Sequence, residues 1–334
     1  MKIKNYRDRS CNLIGKSLYL FIACLLLVSC EKQAALSDQS VVDLSRIQRK
    51  RTELDKWILN TFTLPYGIEI EYRWDKNVSQ SGSYTYPPEA ANVKSVLETI
   101  KALWLDLYTA SDIGGEKFFL GKNPVKIYMY GGKNIDGNGV ELIGNTEATT
   151  NEMFLYNVND FDPKDEDKVF LLMRSVHHQF AKHLMVLFPY DRNKFLSMSR
   201  NKYLESTKLI ATLFKGTTQG RELLALSRYA NKRGFFTFHS FLSAEDDFAE
   251  IISVKLTHSP KDVLKALAEA KEPLHDADPE VQQIYDEEAR QAYKELTEKQ
   301  AFVEDFFSRE IKISLNYLQQ KSMKQLKAYM KQKK

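Results

Sequence analysis

The sequence predicts an α+β protein, mainly helical with a small β-sheet, and three observations carry that reading. Within Asp165–Phe188, apolar residues recur at i, i+3 and i+4 (Val169, Leu172, Met173, Val176, Phe180, Leu184, Leu187), the spacing of a long helix. Residues Ile68–Trp74 alternate apolar and polar side chains, the period-two pattern of a strand with one buried face. From Pro260 onward the chain is highly charged, with anchors such as Leu264, Leu267, Leu296, Phe302 and Phe306 that suit helices with one apolar side.

At the N-terminus, Lys2, Lys4, Arg7, Arg9 and Lys16 precede the apolar run Leu18–Val28, and Leu27-Val28-Ser29-Cys30 follows. This resembles a bacterial lipoprotein signal cut before Cys30, which would carry the lipid. The run is too short for a spanning helix. The expected organisation is a signal at 1–29, a polar tether at 30–40 and one domain at 41–334. Of 48 basic and 44 acidic residues, the signal holds five and one, leaving 43 of each, so the mature chain is formally neutral. A global electrostatic case for nucleic-acid binding disappears with the signal. Cys11 and Cys24 also leave with it, so neither disulfides nor a cysteine metal site can hold the domain.

In order, Val41–Asn60 has helical spacing and ends near the turn Leu64–Gly67, after which comes the Ile68–Trp74 strand. Asn77–Tyr86 is a polar loop, and Pro87-Pro88 opens a helix running through Val93, Leu97, Leu103 and Leu107. Val125–Tyr130 and Met153–Val158 read as strands. Gly131–Gly139 between them lacks the G-x-x-x-x-G-K-[ST] phosphate loop and reads as a hairpin turn. Tyr190–Arg233 is mixed and mostly helical. Gly234–Phe241 is aromatic and β-favouring, and Ser243 is an N-cap for a helix through Ile251, Val254 and Leu256, with Asp246 three residues on. Lys321–Lys334, with six lysines, reads as a solvated helix or frayed tail. His258 and His275 lie in charged surroundings and read as surface residues, whereas Trp57, Trp74 and Trp104 fit core positions.

The Asp165–Phe188 helix is apolar nearly all round and so should be buried, yet it carries His177, His178 and His183. His178 and Lys182, four apart, share one face. His178-Gln179-Phe180-Ala181-Lys182 has the spacing of the zinc-peptidase pattern H-E-x-x-H, with Gln179 in place of the glutamate and Lys182 in place of the second histidine.

Separate pieces along the chain then resemble one family. Trp57-Ile58, Leu64–Ile70, Tyr72–Asp75, Asn151–Asn159, His177–Lys182, Gly234-Phe235, Asp246–Glu250 and Phe302–Leu318 are similar, in order, to segments of the zinc-binding metallopeptidase lipoproteins of Bacteroidetes, associated with outer-membrane nutrient import. The resemblance implies a zincin-like fold, two histidines and a downstream acid on zinc, a glutamate base, and a tyrosine before the acidic motif. Carried over position by position, it leaves His178 as the first ligand, Gln179 at the base position and Lys182 at the second-ligand position. Asp246 falls at the third, with Asp247 and Glu250 as neighbouring choices, and His239 at the tyrosine position.

Lys182 puts a cation where the family holds its metal, and Gln179 cannot accept the proton of a bound water, a function typically worth about 10²–10⁴ in rate. The sequence therefore points to no bound cofactor, with Lys182 replacing the metal and pairing with Asp246 or Glu250. The alternative is an active zinc hydrolase with rearranged ligands: His178, His239 and Asp246, or His177 or His183, the last needing an irregular helix. His177 otherwise reads as a hydrogen-bonded core histidine. The expected function is an outer-membrane lipoprotein held through Cys30, catalytically degenerate, and accessory to a nutrient-import transporter and its binding lipoprotein, with a peptide or protein as a possible ligand. A binding role predicts a cleft lined by exposed Phe235, Phe236, Phe238 and Phe241. A purely structural role predicts that they are buried.

Overall fold

The computed structural model describes residues 51–74, 85–144 and 151–333. Expectations for the signal, the tether, Cys30, Val41–Lys50 and most of the Asn77–Tyr86 loop lie outside the described residues. The described chain begins with helix α1 (Glu53–Ile58), which widens into a π-helical turn at Leu59–Thr63 and closes at Leu64–Tyr66. Gly67, at φ +68°, ends it in the left-handed conformation that glycine adopts at little cost. Strand β1 (Glu69–Glu71) follows and is shorter than the alternating pattern. The alternation itself is kept, with Ile68 and Tyr72 buried and Glu69 exposed.

Helix α2 (Ala90–Ile100) starts after the two prolines and continues through a second π turn to Tyr108. Strands β2 (Lys126–Met129) and β3 (Glu152–Leu155) complete a parallel sheet in the order β1-β2-β3. Ile70 pairs with Ile127, which pairs with Met153. Between β2 and β3 an antiparallel bridge, Ile135 to Glu141, closes a turn around Asp136, consistent with the hairpin reading of the glycine-rich loop.

Helix α3 (Glu166–Leu187) is capped by Asp165, whose carboxylate accepts from the backbone N–H of Asp167 and Lys168 at 3.0 and 3.3 Å. It is buried from Val176 through Ala181 without interruption, as its all-round apolar character requires. Trp104, Tyr108, Phe118 and Phe119 gather around Phe180. The short helices α4 (Arg192–Met198), α5 (Thr207–Leu213) and α6 (Arg228–Asn231) lead to Gly234–Phe241.

That segment is not a strand. It forms turns and a short 3₁₀ helix at His239–Phe241. Its aromatic residues satisfy burial instead of a sheet ladder: Phe235, Phe236, Phe238 and Phe241 are all buried. Gly234 at φ +84° sits so close to Glu295 that a Cβ would lie 2.8 Å from its carboxylate, so a side chain there would be strained and would displace Glu295.

Helix α7 (Ala244–Thr257) packs along α3 and is buried over most of its length. Behind it stand α8 (Pro260–Lys271), α9 (Pro279–Phe306) and α10 (Leu315–Lys333). Two surface expectations are corrected here. The lysine-rich C-terminus is a helix docked through Leu315, Leu318, Leu326, Tyr329 and Met330, because its apolar residues keep helical spacing between the lysines. His258 is buried, edge-on to Phe170 at 4.9 Å, where α7 ends against α10.

Candidate functional site

The site lies between α3 and α7 and is built by the helix repeat. Arg174, His178 and Lys182 follow one another at i, i+4 and i+8 on α3, and Asp246 and Glu250 at i and i+4 on α7. Facing each other, the two rows form a ladder of alternating charge. Arg174 Nη2 donates to Glu250 Oε2; Glu250 Oε1 lies 2.8 Å from His178 Nδ1; His178 Nε2 lies 3.4 Å from Asp246 Oδ1; and Lys182 Nζ donates to the same Oδ1 at 2.8 Å. Of the two candidate partners for Lys182, the geometry selects Asp246.

The ladder is sealed at one end and open at the other. Arg174, His178 and Glu250 are at most 2 % exposed, while the Lys182 side chain keeps 35 % of its surface. Thr237 adds a hydroxyl hydrogen bond to Glu250, and Ser243 does the same for Asp246 at 2.7 Å while accepting its backbone N–H at 3.0 Å. Burial opposes ionisation of both carboxylates, but the surrounding cations outweigh it and hold both below the usual range. Arg174 and His178 act on Glu250, and His178 and Lys182 on Asp246. Burial likewise opposes protonation of His178, and the hydrogen bonds to Asp246 and Glu250 reverse it, raising its pKa above the ordinary histidine value. The two flanking carboxylates thus favour the protonated form of the middle rung.

Gln179 points away from this row. Its carboxamide accepts from the Phe154 backbone N–H at 2.8 Å and donates to the Phe154 carbonyl at 2.9 Å, filling both hydrogen-bonding groups on the free edge of β3 as a neighbouring peptide would. Ser175 Oγ accepts its other hydrogen at 3.1 Å. Gly144 closes over it, and a Cβ there would meet the carboxamide at 2.8 Å. A glutamate at this position could accept from the N–H but would turn a lone pair toward the carbonyl.

His239 is held elsewhere. Its Nε2 pairs with the Glu141 carbonyl at 2.9 Å, and burial lowers its pKa to about 4, so it is neutral at pH 7. His177 is a core residue as expected, but its Nδ1 has no hydrogen-bond partner among the described residues, and burial lowers its pKa to about 3. His183 is buried against Phe180, off the ladder face. Asp247 points to the far side of α7, where Lys299 Nζ donates to it at 2.7 Å and Tyr203 OH at 3.1 Å. Arg174 is the member that the motif comparison did not single out. Its signal is its position four residues before His178.

The residues present do not fit a catalytic zinc. Two tetrahedral ligand atoms at about 2.0–2.1 Å from a metal stand roughly 3.3 Å apart, and His178 Nε2 and Asp246 Oδ1 keep that spacing. The next position is an ammonium, which has no lone pair to offer. Among the described residues no group of three or more His, Cys, Asp or Glu side chains could hold a metal ion. His178, His239 and Asp246 do not assemble as a substitute set, because His239 is committed to Glu141. The four phenylalanines are buried rather than exposed along an aromatic cleft, contrary to the arrangement expected of a binding role, and Phe241 reaches only the floor of a groove that shares no residue with the ladder.

Comparison with known proteins agrees with the fold. A crystal structure of a "putative zinc-binding metallo-peptidase" from Bacteroides caccae ATCC 43185 superposes with a TM-score of 0.58 at 19 % identity, covering 88 % of this chain and 96 % of that one. At that identity the likeness speaks for the fold. No curated protein matches the chain. The family model described as "Putative zinc-binding metallo-peptidase" matches residues 47–316, most of the sequence, and the chain belongs to that family.

Proposed function

We propose that this chain is a non-catalytic member of its family, an envelope lipoprotein anchored to the outer membrane through Cys30 that serves as an accessory or binding component of a nutrient-import system. The observation that carries the loss of catalysis is the Lys182 ammonium on Asp246, in the place where a second metal-binding histidine would stand. Gln179, spent on β3, adds to it, since no carboxylate remains at the base position to accept a proton from water. With every carboxylate of the ladder neutralised by a protein cation, the site is electrically complete without a metal. The lipoprotein and transport parts rest on the leader sequence and on family resemblance. A purely structural role in the envelope is the second reading, favoured by the burial of Phe235, Phe236, Phe238 and Phe241.

The test is elemental analysis of the protein purified without chelators, beside the double variant Gln179→Glu/Lys182→His. The expected result is no zinc in the natural protein and one zinc in the variant, whose His178, restored histidine and Asp246 complete three ligands. Stoichiometric zinc in the natural protein would overturn the proposal.

A further inference from the structure

Away from the charge ladder, a groove of about 680 Å³ opens among residues 201–204, the turn after α6 and the first half of α9, a volume typical of small-ligand sites. Its floor is apolar: Leu204, Leu213, Phe241, Leu274, Ile284 and Ala289. Leu213, Leu274 and Ile284 remain 43, 47 and 58 % exposed, and their gathering around one concavity sets them apart from scattered surface leucines.

The lining carries charges of both signs, and two of these have no oppositely charged partner among the described residues. The Arg233 guanidinium stacks on the Tyr229 ring at 3.6 Å and donates one hydrogen bond to the Tyr229 carbonyl at 3.2 Å. It is thus held in place, while no carboxylate pairs with it among the described residues. Glu288, on α9, has no cation among them either. The other charges are engaged: Lys202 with Glu295, Lys232 with the carbonyls of Glu269 and Glu272, and Glu287 with Arg290.

We infer that this groove binds a short peptide with apolar side chains and free termini. Its α-carboxylate meets Arg233, its amino group meets Glu288, and its side chains cover the floor. A guanidinium fixed by stacking keeps its remaining donors in a plane, the arrangement that suits a carboxylate. A carboxylate in the same lining with no cation among the described residues suits an ammonium and disfavours a plain fatty acid, which would leave Glu288 facing an alkyl tail. The inference stands whether or not the ladder has lost its metal, because the groove shares no residue with it.

The experiment is calorimetric titration of the full chain with trileucine, its C-terminal amide, its N-acetyl form and decanoate. Saturable one-to-one binding of trileucine is expected, with the amide and the N-acetyl form each weaker by about tenfold or more. Arg233→Gln should weaken trileucine to the level of the amide and leave the amide unchanged, and Glu288→Gln should abolish the preference over the N-acetyl form. Both side chains are exposed, so unchanged unfolding midpoints are expected to accompany these losses. No saturable binding at millimolar peptide, equal weakening of acid and amide by Arg233→Gln, or decanoate binding as tightly as trileucine would each overturn the inference.

Discussion

Helix α7 carries two buried ionic clusters on opposite sides, and adjacent residues begin them. Asp246 turns toward α3 and joins the ladder that ends at Lys182, with its open end at the surface. Asp247 turns toward α9 and meets Lys299, both at 0 % exposure, with Phe235 capping the ammonium at 3.9 Å. Around that pair Glu295 gathers Ser199 at 2.7 Å and Lys202 at 2.8 Å. Burial drives the Asp247 carboxyl up and the Lys299 ammonium down, and their mutual attraction opposes both shifts. At its centre the Asp247–Lys299 pair is fully enclosed, although the cluster reaches the surface at Lys202, whose side chain is 33 % exposed. The ladder, open at Lys182, can exchange one cation for another at that end without dismantling the core.

The enclosed Asp247–Lys299 pair should be the more sensitive of the two to loss of one charge. Lys299→Ala leaves Asp247 buried without a counter-ion and should cost about 3–5 kcal/mol in urea unfolding. A loss no greater than that of Lys182→Ala would show that the two clusters do not differ as described.

Acid should act mainly on the ladder and the histidines beside it. His239 has a folded pKa of about 4 against an unfolded value near 6.5, so the unfolded chain binds the extra proton and stability falls as pH drops from 6.5 toward 4. Its share between pH 7 and 4.5 is about 2 kcal/mol. The depressed carboxyls of Asp246 and Glu250 add losses as pH falls further below their unfolded values near 4. His178 works in the opposite direction. Its raised pKa contributes stability that is full below about 6.5 and fades as pH rises through the folded value. Unfolding at pH 7 and 4.5 should show His239→Gln losing less stability on acidification than the natural protein, and equal losses would refute the assignment.

The smallest effect belongs to the open end. The Lys182 side chain is 35 % exposed and solvent screens its bond to Asp246, so Lys182→Ala should cost about 1 kcal/mol. A change within about 0.5 kcal/mol, the range of ordinary surface positions, would remove Lys182 from the ladder.

Several parts of this arrangement were legible in the residues. The periodicity of Asp165–Phe188 located α3, Ser243 marked the start of α7, and the spacing of His178 and Lys182 put both on one face. Other parts were not. The aromatic run Gly234–Phe241 has strand composition but no neighbouring strand to pair with among the described residues, and burial of its rings outweighed propensity. His258 sits among charged neighbours in sequence and is nevertheless covered, because the end of α7 packs on Phe170 and α10. Lys299 lies on a highly charged helix and is nevertheless fully buried against Asp247. Its partner lies 52 residues away, and no local pattern announces such a pair.

What needed no folding to be known is the kind of groups available: an amide at 179, an ammonium at 182, one histidine of the motif and a run of acids at 246–250. Those identities already remove a base and a ligand, since protonation and lone pairs belong to the side chains themselves. Which acid faces which cation depends on the rotation of α7 against α3, set by packing along both helices. That rotation sends Asp246 and Glu250 to the ladder and Asp247 to Lys299, while the seating of α3 against the sheet turns Gln179 onto the edge of β3.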